Sequence, residues 1–172
     1  KWAEKEKELK DSNTEVDIAY LKKDWLLLDA KRLTETNSFD FIIETVGVYS
    51  NFEICEKGCE IIINKIKNFI KVIQEENIIA KAINVMVNCY DITLNNEDYT
   101  LGKIIEFILY EKFFNKELTF CGFKKPHPHL NYSIIRLAFK DDVDNNAIIG
   151  YMLAACQDGI LVFEKLKENF SK

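Results

Sequence analysis

Apolar positions along this chain follow a helical period in some stretches and a two-residue period in others. Near-helical spacing covers residues 16–33 and three longer faces, which begin near residues 50, 100 and 145. Alternation typical of half-buried strands occurs between these faces. The predicted strands are residues 39–43, 83–92, 118–123 and 132–139. The pattern therefore predicts an α+β fold, in which a small antiparallel sheet packs on long helices.

Side chains that can cap a helix stand before each of the longer helical faces. Ser50 and Glu53 have the spacing of a capping box, in which hydroxyl and carboxylate satisfy free backbone N–H groups. Thr100 is the predicted N-cap of the next helix, and Asn145 or Asn146 that of the last. Residues 1–11, which are almost all charged, predict a further helix on the surface.

The strand and helix that begin near residue 39 recur about 93 residues further along the chain. At this offset, Phe41 and Ile43 fall within one residue of Ile135 and Leu137. Two such units, each with a helix face that its own sheet cannot cover, would pack together with two-fold symmetry. The alternative is chance agreement between two amphipathic helices. The positions in phase are Ile54, Cys55, Cys59, Ile62, Ile63, Ile70 and Ile73, matched by Ala147, Ile148, Met152, Ala155, Cys156, Phe163 and Leu166.

Composition limits the classes of function. The chain has 172 residues and a net charge of −5, with no block of Lys or Arg. Apolar residues make up 48% of the chain, which is typical of a globular protein. An autonomous nucleic-acid-binding surface is not expected, because such surfaces cluster positive charge. The five cysteines include no Cys-x-x-Cys pair, which favours reduced thiols in an intracellular protein. We expect no membrane span, since the apolar runs are short and interrupted. Because the chain begins at Lys1, we also expect it to be a fragment of a longer protein.

Residues 98–139 hold three short motifs in a fixed order. Thr100-Leu101-Gly102 opens a helix, and Gly102 in its first turn predicts close approach by another backbone, since glycine there costs about 1 kcal/mol. Next come Phe120-Cys121-Gly122-Phe123 on a strand and Pro126-His127-Pro128 in an extended turn.

These motifs resemble the small assembly subunits of cellular RNA polymerases, the family of the eleventh nuclear subunit and archaeal subunit L. Tyr99 and Lys103 depart from the family pattern, which has His and Asn at those places. Residues 39–47 and the helix after them resemble the end of the dimerisation domain of the partner family, the third subunit of nuclear polymerases.

The two resemblances together imply a fused protein with the fold of a polymerase alpha-subunit dimerisation domain and two pseudo-symmetric lobes. They divide the chain into a charged helical insertion (1–37), the tail of a third-subunit-like domain (38–80) and an eleventh-subunit-like domain (81–172). The joining of the two families in one chain is familiar in large DNA viruses, which favours a viral polymerase as the source.

The implied function is that of a non-catalytic assembly subunit, which forms a platform for two large catalytic subunits and binds small polymerase subunits. No cofactor is expected in this chain, since magnesium and zinc would belong to other subunits. No sequence-specific nucleic-acid contact is expected. A viral source would place the protein in the host cytoplasm, within viral factories, and in the virion; otherwise we expect it in the nucleus.

The expected helix packing between lobes involves Leu101, Gly102, Ile105, Ile108, Phe113, Met152, Phe163 and Ile62. The expected surface-shaping motif consists of Phe120, Gly122, Phe123, Pro126, His127 and Pro128.

Other functions have weaker support in the sequence. Cys55 and Cys59 could share a metal ion with His127 and His129, yet nothing sets a tetrahedral spacing. His127 could act as a general base in a small enzyme, but it lacks a partner at a motif spacing. The principal alternative is a free-standing α+β dimer that binds another protein and has no polymerase role.

Overall fold

A computed structural model describes residues 1–11, 17–83 and 86–171. The chain divides into two compact units, Lys1–Ile43 and Glu44–Lys172. The domain boundaries expected from the sequence, after residues 37 and 80, stay predictions.

The first unit contains two short helices, α1 (Trp2–Asp11) and α2 (Ile18–Leu27), and a 3₁₀ turn at Ala30–Arg32. The surface helix predicted for residues 1–11 is confirmed, and the second helix ends earlier than the predicted residue 33. The rings of Trp2 and Trp25 lie 5.4 Å apart. None of the described residues of this unit is buried.

The strand predicted for residues 39–43 is wrong. This segment has no regular secondary structure, and Phe39 and Phe41 are 75% and 83% exposed. A strand needs a hydrogen-bonded partner, and none of the described residues provides one here. Gly47, at φ +97°, then turns the chain, and its N–H donates to the Thr45 hydroxyl over 3.2 Å.

The second unit begins with a long helix, α3 (Asn51–Glu75), and the predicted capping box at its start is confirmed. The Glu53 N–H donates to the Ser50 hydroxyl over 3.3 Å, and the Ser50 N–H donates to the Glu53 carboxylate over 2.8 Å. Both bonds satisfy backbone N–H groups that have no partner within the helix.

Four antiparallel strands form one sheet in the order β1-β2-β4-β3. Strand β2 starts later than the predicted residue 83, because Asn88 takes a left-handed conformation (φ +51°) just before it. Residues 84 and 85 of that prediction lie outside the described residues. The strands are β1 (Ile79–Lys81), β2 (Cys89–Asn95), β3 (Leu118–Lys124) and β4 (Tyr132–Phe139).

Two more helices complete the unit: α4 (Tyr99–Phe113) and α5 (Asn145–Phe170). The predicted caps are wrong by one or two residues, since aspartates precede the predicted Thr and Asn. Asp98 accepts from the Thr100 N–H over 3.1 Å, and Asp144 accepts from the Ala147 N–H over 2.8 Å. A carboxylate at this place also interacts favourably with the positive end of the helix dipole.

The helices cover one face of the sheet. Helix α4 packs on β3 and β4, and α5 packs on α4 and α3. The predicted α+β class with a small antiparallel sheet is therefore confirmed, while the second, pseudo-symmetric lobe stays a prediction. Helix α5 is long and apolar enough to cross a membrane, but the apolar residues of its first half pack in the core. The centre of the core consists of Ile66, Ile92, Leu94, Leu101, Ile105, Ile135, Leu137 and Met152.

Candidate assembly interface

An open apolar groove of about 370 Å³ lies between helices α4 and α5. Helix α4 contributes Ile104, Phe107 and Ile108, and helix α5 contributes Val162 and Phe163. We call this feature the α4–α5 groove. Its rim carries one cation, Lys103, which is ion-paired with Glu106 on its own helix.

Gly159 forms the floor of the groove and lets three helices approach one another. A Cβ at this position would lie 3.3 Å from the terminal methyl groups of both Ile66 and Ile108. Since Ile66 belongs to α3 and Ile108 to α4, a larger residue would separate the helices. The groove is therefore shallow because its floor is closed from below by α3.

Large apolar side chains of the groove face solvent. Phe107 is 63% exposed and Val162 is 51% exposed. Next to the groove on α5, Leu166 is also exposed. A contiguous apolar surface of this kind marks an interaction site far more often than isolated exposed residues do.

The residues predicted to pack between lobes lie at three depths. Leu101, Ile105 and Met152 are fully buried in the core beneath the groove. Ile108 and Phe163 line the groove itself. Ile62 and Phe113 are half-buried against the core, and the Phe113 ring meets that of Tyr151 at 4.9 Å.

Sequence reasoning missed the most exposed residues of the groove, Phe107 and Val162. The available signal was the width of the apolar face on α4. Phe107 lies outside the stripe through Leu101, Ile105 and Ile108, so it extends that face beyond what the core can cover.

The predicted glycine and phenylalanine motif packs the third strand on α4. The Phe123 ring lies over Gly102, where a Cβ would overlap it, and meets the Tyr99 ring at 5.2 Å. On the same strand, a Cβ at Gly122 would come within 2.8 Å of the Phe120 ring. The close neighbour of Gly102 is therefore an aromatic side chain, not the backbone that the sequence led us to expect.

Cys121 lies between these two phenylalanines and is tied to α4. Its Sγ donates to the Glu106 carbonyl over 3.6 Å, and burial raises the pKa of the thiol to about 12. A thiol of this kind stays protonated at neutral pH and packs as a small apolar group.

The Pro126-His127-Pro128 motif forms a turn between β3 and β4. His127 Nδ1 accepts from the His129 N–H over 3.2 Å, and the two rings lie 5.2 Å apart. No carboxylate among the described residues is bonded to His127. Across residues 1–11, 17–83 and 86–171, no group of three or more His, Cys, Asp or Glu side chains is arranged to hold a metal ion. The turn therefore offers a surface shape, and its geometry lacks the components of an acid–base site.

Ion pairs hold helix α3 antiparallel to α5. Lys167, near the end of α5, donates over 2.5 Å to the carboxylate of Glu60, which lies in the first half of α3. That hydrogen bond lowers the pKa of the Glu60 carboxyl and raises the pKa of the Lys167 ammonium group. The pair is partly exposed, so it fixes the relative direction of the helices more than it stabilises them.

Comparison with protein families gives a match for part of the chain. Residues 89–169, from β2 through nearly all of α5, match the RNA polymerase Rpb3/Rpb11 dimerisation domain. Comparison with curated protein sequences found no match. The matched region contains α4, both sides of the α4–α5 groove and all three predicted motifs. The chain therefore contains an Rpb3/Rpb11 dimerisation domain, a non-catalytic domain whose presence implies an assembly role among RNA polymerase subunits.

Proposed function

We propose that this chain is an assembly subunit of a multisubunit DNA-directed RNA polymerase, in which the tail of a third-subunit-like domain is fused to an eleventh-subunit-like domain. The two parts form a pseudo-dimer, and the pseudo-dimer is the platform on which the two large catalytic subunits and small polymerase subunits assemble. The observation that carries the proposal is the way α3 packs on α5.

Buried positions on α3 and α5 correspond at the offset found in the sequence. Cys59 and Ile63 are buried on α3, and 93 residues further on Met152 and Cys156 are buried on α5. Ile66 and Gly159 are also separated by 93 residues, and these two residues meet where the helices cross. Contact between equivalent residues of an antiparallel pair is what a local two-fold axis requires. The packing thus supports α3 as the remnant of a second copy of α5.

The same symmetry accounts for the open groove. Phe69 and Ile73 on α3 are buried, whereas their counterparts on α5, Val162 and Leu166, are exposed. The buried pair on α3 packs in a core to which the sheet contributes Leu94. A corresponding sheet and helix of a third-subunit-like part would cover the exposed pair on α5. We therefore assign the α4–α5 groove to that part.

The extended segment before α3 fits the same arrangement. Residues 39–48 are rich in large apolar side chains, and Phe39, Phe41 and Val48 are all at least three-quarters exposed. A segment with this composition becomes a strand when a sheet edge is offered to it. In the proposed pseudo-dimer, that edge belongs to the third-subunit-like part.

We expect this subunit to hold no cofactor of its own. The catalytic magnesium and the structural zinc ions belong to other subunits, and the net charge of −5 agrees with a subunit that makes no sequence-specific nucleic-acid contact. We propose a large DNA virus as the source, with the protein in the host cytoplasm and the virion. A cellular source would place it in the nucleus.

Substitution of the groove tests the assembly role. We expect the double variant Phe107→Asp and Val162→Asp to keep its fold, because both side chains are already exposed. It should lose the large polymerase subunits in an affinity purification from its native cells. The new charges would be buried without partners against the third-subunit-like part, and the platform that those subunits bind would not form. Co-purification is measured by mass spectrometry and by template-dependent RNA synthesis.

Leu161→Asp is the matched control, because Leu161 is exposed on α5 and does not line the groove. The control should purify with the same subunits as the unchanged chain. Normal assembly and transcription by the double variant would contradict the proposal. Recovery of the unchanged chain only as a homodimer, dissociated by the double variant, would instead favour the free-standing binding module.

A further inference from the structure

Two adjoining concavities lie at the end of the sheet where β2 leads into α4 and β4 begins. The larger, of about 630 Å³, is bounded by α3, and the smaller, of about 290 Å³, extends to Lys125. Both are lined by Asn96, Glu97 and Asn131, so they form one continuous depression across the loops. We call it the loop-end cleft. It does not share residues with the α4–α5 groove.

The ridge in the middle of the cleft is held in place by internal bonds. The Asn96 N–H donates to the Asn131 carbonyl over 2.6 Å. The hydroxyl of the fully buried Ser133 donates to the Glu97 carbonyl over 2.9 Å, and Lys65 donates to the Glu97 carboxylate over 2.7 Å. A site fixed in this way needs little reordering when a ligand binds.

Four carboxamide side chains surround the cleft, and none has a hydrogen-bond partner among the described residues. They belong to Asn68 on α3, Asn95 at the end of β2, Asn96 just after it, and Asn131 before β4. Each carboxamide offers both a donor and an acceptor, as a peptide group does. A row of such groups matches the backbone of an extended polypeptide and has no preference for one sign of charge.

Apolar side chains form the wall of the larger concavity. Phe69 is buried there, and Val72 and Tyr132 are half-buried. This wall can accept one apolar side chain of a bound peptide, with its backbone held by the carboxamides on either side.

The charges at the two ends of the cleft differ in sign. Lys65 and Glu97 neutralise each other, and Asp98 is engaged at the start of α4. Glu76 then remains in the larger concavity and Lys125 in the smaller one. Among the described residues that line the cleft, one cation without an ion-pair partner is too little for a polyphosphate backbone, whereas the opposed charges suit a peptide with a cation at one end and an anion at the other.

We propose that the loop-end cleft binds an extended peptide segment of a partner polypeptide, in which a basic, an apolar and an acidic residue follow one another along the cleft. The carboxamides of Asn68 and Asn131 hold its backbone, and Glu76 and Lys125 set its direction. This inference does not depend on the polymerase assignment.

The test uses a phage-displayed library of random peptides, panned against the full-length chain. Enriched peptides are then synthesised, and their affinity is measured by fluorescence anisotropy. We expect enrichment of the basic, apolar and acidic pattern. The double variant Asn68→Ala and Asn131→Ala should weaken binding at least about tenfold, while Asn64→Ala, on α3 outside the cleft, should leave it unchanged.

Charge reversal supplies a second readout that does not depend on the carboxamides. The double variant Glu76→Lys and Lys125→Glu should bind the selected peptides more weakly. It should instead prefer peptides in which the two charges are exchanged. The proposal is overturned if no peptide is enriched or if the double alanine variant binds as tightly as the unchanged chain. It is also overturned if binding is lost in the Phe107→Asp and Val162→Asp variant, since the peptide would then occupy the α4–α5 groove.

Discussion

At the scale of single residues, Gly102 has the closest neighbour of any glycine in the described chain, the ring of Phe123. The ring occupies the space that any other side chain at position 102 would need. Gly102 also lies in the first turn of α4, so the contact fixes the distance between that helix and β3.

We expect Gly102→Ala to destabilise the protein by about 1–3 kcal/mol, because the added methyl group would force the half-buried Phe123 ring or the helix to move. Urea unfolding followed by circular dichroism measures the free energy of unfolding. Gly150→Ala is the matched control, since a Cβ there meets nothing within 4 Å. The control should gain up to about 1 kcal/mol from better helix propensity. Equal changes in the two variants would contradict the packing described here.

Some residue-level features were readable from the sequence and others were not. Glycine at position 102 signalled a close approach, but only the structure identifies Phe123 as its neighbour. The caps of α4 and α5 were misplaced because Asp98 and Asp144 stand next to other capping residues, and local sequence does not decide among them.

At the scale of elements, helix α3 is the feature that joins the matched domain to the rest of the second unit. Its start, its length and its apolar face all followed from the sequence, because a capping box and a long 3.6-residue period are strong local signals. The strand predicted for residues 39–43 failed for the opposite reason. Its alternation was correctly recognised, but pairing depends on a partner that local sequence does not contain.

We expect Ile66→Ala to cost about 2–5 kcal/mol, because this fully buried side chain sits where α3 crosses α5 and contacts the position of Gly159. Thermal and urea unfolding provide the measurement. Ile61→Ala, on the same helix but 58% exposed, should change stability by no more than about 0.5 kcal/mol. A small effect at Ile66 would mean that α3 is not packed as described.

At the scale of the whole molecule, burial is confined to one of the two units. Every buried residue of the described chain lies in Glu44–Lys172, and the first unit contributes none. The sequence foresaw a charged, helical N-terminal region. The wide apolar face of α4 indicated surface beyond what the core covers, but it could not locate the α4–α5 groove. Phe107 and Val162 are ordinary core residue types, and their exposure depends on how the helices are placed.

Removal of residues 1–43 should therefore leave the fold of the second unit intact. We expect the shortened chain to unfold cooperatively, with a free energy of unfolding within about 1 kcal/mol of the full chain. Calorimetry and denaturant titration would measure this. Loss of cooperative unfolding would show that the first unit contributes to the core.

The exposed apolar segment at residues 39–48 has a consequence for how fast the protein is degraded in a cell. An extended, unpaired stretch with side chains such as Phe39 and Val46 on its surface is a good substrate for proteases and a good ligand for chaperones. A copy that finds its partners hides this stretch, and a copy that does not stays open to degradation. The amount of the protein would then follow the supply of its partners, with no regulator needed beyond the segment itself.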